Sequence, residues 1–194
     1  MKIEDELAAL NGHKTFLAFS SATDIQTNIS NAIDYLMKEK DMSCIYVSMN
    51  KSAQEIVGLL DKRKISKERF FIIDCVTGTV VNPPKIKNVS FVSRPYNLTE
   101  IGIYISRYAK TIGKSGFVLL DSLEILQMYN RSEVVMQFVH SLTSLPTRYG
   151  LRLIVLATME MFRGQASHFS QYFDKVSEVS TVEHRGGKPT QFRV

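Results

Sequence analysis

Eight residues between an apolar run and a helical period are the first candidates for chemistry: Ser20-Ser21-Ala22-Thr23-Asp24-Ile25-Gln26-Thr27. Phe16–Phe19 before them reads as a buried strand, and Ile29, Ile33 and Leu36 after them recur on one helical face. Strand, tight loop and helix is an arrangement that holds phosphate, because backbone N–H groups at a helix start point at the anion. This loop contains neither glycine nor lysine. A second group is Tyr104, Arg107 and Tyr108, with Lys110 and Lys114 close behind. On a helix, residues 104, 107 and 108 share a face. Tyrosines interleaved with cations suit base stacking and phosphate contact, or anchoring of a protein partner. Rings simply packed on a sheet are the plainer alternative.

Charge placement sharpens the second group. The net charge of +5 equals the excess between Cys75 and Ser115, where Lys85, Lys87, Arg94, Arg107, Lys110 and Lys114 face only Glu100. Such a sector attracts nucleic acid, acidic lipid or acidic protein, or is an ordinary solvated surface. Cys44 and Cys75 lie in or at the end of apolar runs and read as reduced, buried thiols. Two cysteines without clustered histidines give no zinc site, so no metal is expected. His13, His140, His168 and His184 are scattered, with no Ser or Cys at a spacing that marks a nucleophile pair. No apolar run approaches the ~20 residues that cross a bilayer. The opening MKIEDELAAL is acidic and too poor in apolar residues for a secretory leader, so a cytoplasmic protein without membrane partners is expected.

The elements that must position these residues alternate along the chain. Strand-like runs are Phe16–Phe19, Cys44–Ser48, Phe70–Asp74, Val89–Val92, Phe117–Asp121, Leu153–Ala157 and Val176–Val182. Helical periods fall at Asp24–Lys38, Ser52–Lys62, Leu98–Lys110, Ser132–Leu145 and Ser167–Phe173. Ser52 with Glu55 forms a capping-box pattern, and Asn97 or Thr99 can cap the helix carrying Tyr104. Strands separated by single helices imply crossovers and a mostly parallel sheet covered on both faces. One domain spans residues 1–194, with a short helix within residues 1–13 and a terminal hairpin strand over residues 183–194. In such sheets ligands gather at the carboxyl ends of the strands, here Ser20–Thr27, Met49–Lys51, Asp74–Cys75, Asp121–Ser122 and Thr158–Glu160.

Phe117-Val118-Leu119-Leu120-Asp121-Ser122-Leu123 resembles the Walker B strand of the RecA/KaiC-like ATPases. Cys44–Ser48 with Ser52-Ala53-Gln54-Glu55-Ile56 resembles the second strand and helix of the KaiC-like branch, and Arg185-Gly186 resembles its late Arg-Gly turn. The resemblance runs from about Thr15 to the C-terminus. It implies a three-layer αβα RecA-like fold with a mostly parallel central sheet and a C-terminal antiparallel hairpin. It also implies side-by-side assembly and, by analogy, an archaeal cytoplasm.

Against that family's Gly-x-x-x-x-Gly-Lys-Ser/Thr loop, the glycines become Ser20 and Ile25, the lysine becomes Gln26, and only Thr27 matches. A β-branched Ile25 is costly at glycine-like angles, and Gln26 carries no charge to offset a triphosphate. The family's paired glutamates after the second strand become Asn50 and Lys51, which leaves no general base. Arg185 keeps the family's inter-subunit arginine, while the lysine two places earlier is Glu183. Asp121 and Thr27 then read as inherited structure, with residual metal binding as the alternative, and Ser122 belongs to the same altered site. The resemblance, so altered, implies a pseudo-ATPase without a cofactor that acts as a regulatory or scaffold subunit. Its partner would be further copies of itself or an active paralogue. A nucleic-acid accessory factor is a second reading, carried by the basic sector. An ATPase with an unorthodox site is a third.

Overall fold

A computed structural model of the chain describes residues 1–39, 41–79, 83–94, 96–162 and 166–181. Seven strands form one sheet: β1 (Thr15–Ser20), β2 (Ser43–Ser48), β3 (Phe70–Asp74), β4 (Val89–Phe91), β5 (Gly116–Leu120), β6 (Arg152–Thr158) and β7 (Lys175–Val179). Their spatial order is β4-β3-β2-β5-β6-β1-β7, and the described pairings are all parallel. The helices are α1 (Ile3–Ala8), α2 (Ile25–Leu36), α3 (Ala53–Lys62), α4 (Leu98–Ile112), α5 (Leu123–Tyr129), α6 (Ser132–Leu142), α7 (Leu145–Tyr149) and α8 (Ala166–Ser170).

Strand alternation sorts the side chains into two cores. Phe16, Ala18, Cys44, Tyr46 and Leu119 meet Ile29, Ile33 and Ile56 of α2 and α3, with Ile3 and Leu7 of α1. Leu17, Val47, Val118, Leu120 and Val155 meet Ile105, Leu126, Val139 and Leu145 of α4 to α7. The result is an αβα sandwich, with each fully buried aliphatic or aromatic side chain contributing roughly 1.5–3 kcal/mol. Both cysteines are buried and free, and burial pushes both thiols well up.

Local signals place the helix starts. Ser52 Oγ accepts from Glu55 N at 3.4 Å while the Glu55 carboxylate accepts from Ser52 N at 2.8 Å, closing the capping box of α3. Asn97 Oδ1 accepts from Glu100 N at 3.1 Å at the start of α4. The edge strand β7 is tied down at its start. Asp174 accepts from Lys14 N and Thr15 N, both at 2.9 Å, and Lys175 pairs with the buried Glu6 at 2.7 Å.

Three boundaries differ from the sequence reading. The helix expected over Ser132–Leu145 divides after Leu142, because the Ser141 and Thr143 hydroxyls donate back to Phe138 O and His140 O at 2.6 and 2.8 Å. Pro146 then sits in the first turn of α7, where its missing N–H costs nothing. The short α5 was not anticipated. Strand β7 ends at Val179 rather than at Val182; Val182, the hairpin over 183–194 and Arg185 lie outside the described residues. Among the described residues no helix is long and apolar enough to cross a membrane.

Candidate functional site

The carboxyl ends of five strands carry buried polar residues: Ser20, Ser48, Asp74, Asp121 and Thr158. All five lie side by side, because β3, β2, β5, β6 and β1 are consecutive in the sheet. The loop Ser20–Thr27, the Asn50-Lys51 turn and Asp121-Ser122 therefore come together at one end of the sheet.

The loop after β1 is a tight turn closed on itself. Asp24 N and Ile25 N both donate to Ser21 O, at 3.1 and 3.0 Å, and Asp24 N also reaches Ser21 Oγ at 3.2 Å. No residue from Ser20 to Thr27 has a positive φ. Ile25 therefore avoids the glycine-like angles that its side chain resists, and turns 94% of itself inward as the first residue of α2. Ser20 Oγ accepts from Asn28 Nδ2 at 2.9 Å in the interior. Thr27 is exposed and Gln26 half-buried.

Asp24 makes the loop's outward contacts. Its carboxylate accepts from Thr181 Oγ1 at 2.9 Å, Thr181 N at 3.3 Å and Ser180 Oγ at 3.3 Å, just past the end of β7. The Thr181 bonds come first among the causes that hold this carboxyl below its ordinary value. The sequence reading passed over Asp24, although an acid inside a would-be phosphate loop was a visible signal.

Asp121 is fully buried, and each of its oxygens has an internal donor. Oδ1 accepts from Met49 N at 2.8 Å and Oδ2 from the Tyr46 hydroxyl at 2.7 Å. Burial pushes Asp121 up to about 6, with Glu124 adding to the rise, while the two hydrogen bonds and the Lys51 charge oppose it. Tyr46 was legible only as an apolar strand residue; its hydroxyl became relevant once β2 and β5 were neighbours. Lys51 extends from the turn after β2 and donates through Nζ to Gln26 Oε1, linking the second strand's turn to the first turn of α2. Asn50 beside it is exposed. Ser122 Oγ, Thr158 Oγ1 and Asn28 Oδ1 are buried at this end without a protein partner. Among the described residues no three His, Cys, Asp or Glu side chains group as a metal would require.

The second candidate set does not stay together. Tyr108 is buried, with its ring 5.0 Å from that of Phe71 and its hydroxyl 2.7 Å from Ser90 Oγ. Tyr104 is half-buried and donates to Glu100 Oε1 at 3.2 Å, with the Arg107 guanidinium 5.2 Å from its ring centre. Arg107 and Lys110 are exposed and line a groove of about 580 Å³ between α4 and the α6–α7 pair. Lys114 instead lines a separate cleft with Glu39, Asp41 and Arg152.

The chain matches no protein-family profile and no curated protein. Solved structures do match. It resembles a KaiC-like protein from the hyperthermophilic archaeon Pyrococcus horikoshii, with a TM-score of 0.61 over 90% of this chain and 76% of that one, at 17% identity. It also resembles an uncharacterized protein from the same organism, solved in complex with an unknown peptide. There the TM-score is 0.66 over 92% of this chain and 84% of that one, at 12% identity. The fold is RecA/KaiC-like.

Proposed function

We propose that this chain is a non-catalytic RecA/KaiC-like domain that works by protein–protein association, as a regulatory or scaffold subunit. The observation that carries the reading is the hydrogen bond from Lys51 to Gln26. It joins the two positions where an active relative would hold a phosphate-binding lysine and one of the paired glutamates after the second strand.

The surrounding residues do not fit a magnesium–triphosphate. The turn's Asp24 and Ile25 amides are spent on Ser21, and the loop carries a carboxylate, Asp24, where a phosphate-binding loop gains from positive charge. The carboxylate that would hold a magnesium ion through water is committed to Tyr46 and Met49. Lys51 stands where the family carries a glutamate and is engaged by Gln26. The peptide bound to one of the structural neighbours is in keeping with a fold that serves association.

Calorimetry of the purified chain with Mg-ATP and Mg-GTP tests this directly. Neither nucleotide binds at millimolar concentration, and Asp121→Ala changes nothing in a phosphate-release assay. Magnesium-dependent turnover that disappears in Asp121→Ala would overturn the proposal in favour of an unorthodox ATPase.

A further inference from the structure

The groove between α4 and the α6–α7 pair has an apolar floor and a basic rim. Ile105, Leu142 and Leu145 form the floor, and Ile103 stands 53% exposed above it. Arg107, Lys110 and Arg148 form the rim, and no acidic residue lines the groove. None of the three cations pairs with a carboxylate among the described residues. Arg107 and Arg148 lie 5.2 and 5.3 Å from the ring centres of Tyr104 and Tyr149. A side chain added at Gly102 would meet no atom within 4 Å, so the α4 wall is open to a close neighbour.

We propose that this groove docks an acidic amphipathic helix of a partner protein. The proposal rests on the reading that the chain acts by association. Apolar side chains at helical spacing would settle on Ile103 and the floor, while carboxylates on the flanks would meet Arg107, Lys110 and Arg148. Three cations along a partly apolar channel select against a basic helix, since like charges would face one another.

Two other occupants fit less well. Single-stranded nucleic acid is held by aromatic rings on which bases stack, and no ring lines this groove. Tyr108 is packed on Phe71, and Tyr104 is engaged by Glu100 and Arg107. Among the described helices of a second copy, α1 is the one with three acids in its first turn, Glu4, Asp5 and Glu6. That helix already buries Ile3 and Leu7 in its own core and commits Glu6 to Lys175.

The test uses the full chain and three labelled probes in a fluorescence-anisotropy titration. The first is a helical peptide with leucines on one face and glutamates on the flanks. The second has lysines in place of the glutamates, and the third is oligo-dT. The glutamate peptide binds at least roughly tenfold more tightly than the lysine peptide. The triple variant Arg107→Glu, Lys110→Glu, Arg148→Glu reverses that preference, with its melting curve confirming that it is folded. A preference that survives the triple variant, or equal or absent binding of the two peptides, overturns the proposal. So does oligo-dT binding that the triple variant abolishes while the peptides stay unbound, which assigns the groove to nucleic acid. Nucleotide calorimetry on the same preparations keeps the two readings apart. A chain that turns over ATP yet shows the peptide reversal loses its proposed function and keeps its groove.

Discussion

The carboxyl ends of the strands and the α4/α6–α7 groove are both rich in polar and charged groups, but they use them oppositely. At the strand ends the donors and acceptors are largely turned on one another: Asp121 on Tyr46 and Met49, Asp24 on Thr181, Lys51 on Gln26. In the groove Arg107, Lys110 and Arg148 have no carboxylate partner among the described residues, and the two arginines lie against tyrosine rings. A buried polar group without a partner costs about 1–3 kcal/mol, whereas an exposed cation costs almost nothing to leave unpaired. Buried polar groups at the strand ends therefore gain by pairing with one another. A surface cation has no such drive. The comparison teaches that the groove's cations are free to meet a partner at little cost to the fold, whereas most strand-end groups are not.

The strongest way to break this contrast is to cut into the self-satisfied end. Asp74 is fully buried and accepts from Ala53 N at 2.7 Å, Val76 N and Thr77 N at 2.8 Å, and Thr77 Oγ1 at 2.6 Å. Asp74→Ala strands these donors, and urea denaturation will show a loss of about 3 kcal/mol or more. A loss under about 1 kcal/mol would mean that the strand ends are looser than their hydrogen bonds imply.

Asp121 gives a second, smaller effect of opposite sign. Its folded value of about 6 lies above the ordinary 3.8 because burial penalises the charge. The folded state thus holds this proton more tightly than the unfolded chain. The stability it contributes is fully present below pH ~4 and is lost as the pH rises through about 6. Asn resembles the protonated form and does not titrate. Asp121→Asn will therefore match the wild type near pH 4 and exceed it by about 1–3 kcal/mol at pH 7.5. A variant weaker than the wild type at pH 7.5 would show that the carboxylate's charge, through Lys51, is itself holding this end together.

Much of the fold was legible because its signals are local. The apolar runs of Phe117–Leu120 and Ile154–Leu156, buried on both faces, read directly as covered strands, and Ser52 with Glu55 announced a helix start. The site was less legible, because its partnerships are long-range. Tyr46 and Asp121 are 75 residues apart and Asp24 and Thr181 157, and no spacing rule joins them. The spacing of Tyr104, Arg107 and Tyr108 predicted one shared face, but the helix rotates so that Tyr108 falls on Phe71 and the sheet. One wall of the groove was legible through Arg107 and Lys110, but the other was not, since Arg148 lies on a helix that Ser141 and Thr143 detach from α6 through their own backbone bonds.

The smallest effect belongs to the groove. Arg107, Lys110 and Arg148 lack carboxylate partners among the described residues; the two arginines have contacts with half-buried tyrosine rings to lose, and Arg148 an exposed 3.5 Å bond to the Tyr149 hydroxyl. Reversing any one of them removes no buried hydrogen bond and opens no cavity. Single Glu variants at these positions will accordingly shift unfolding free energy by no more than about 0.5 kcal/mol, while each weakens the glutamate-peptide probe. The two readouts must separate for the contrast between the regions to hold. If Arg148→Glu instead destabilised the chain as Asp74→Ala does, the guanidinium would be part of the packing that fixes α7. The groove's charge would then belong to the fold rather than to a partner.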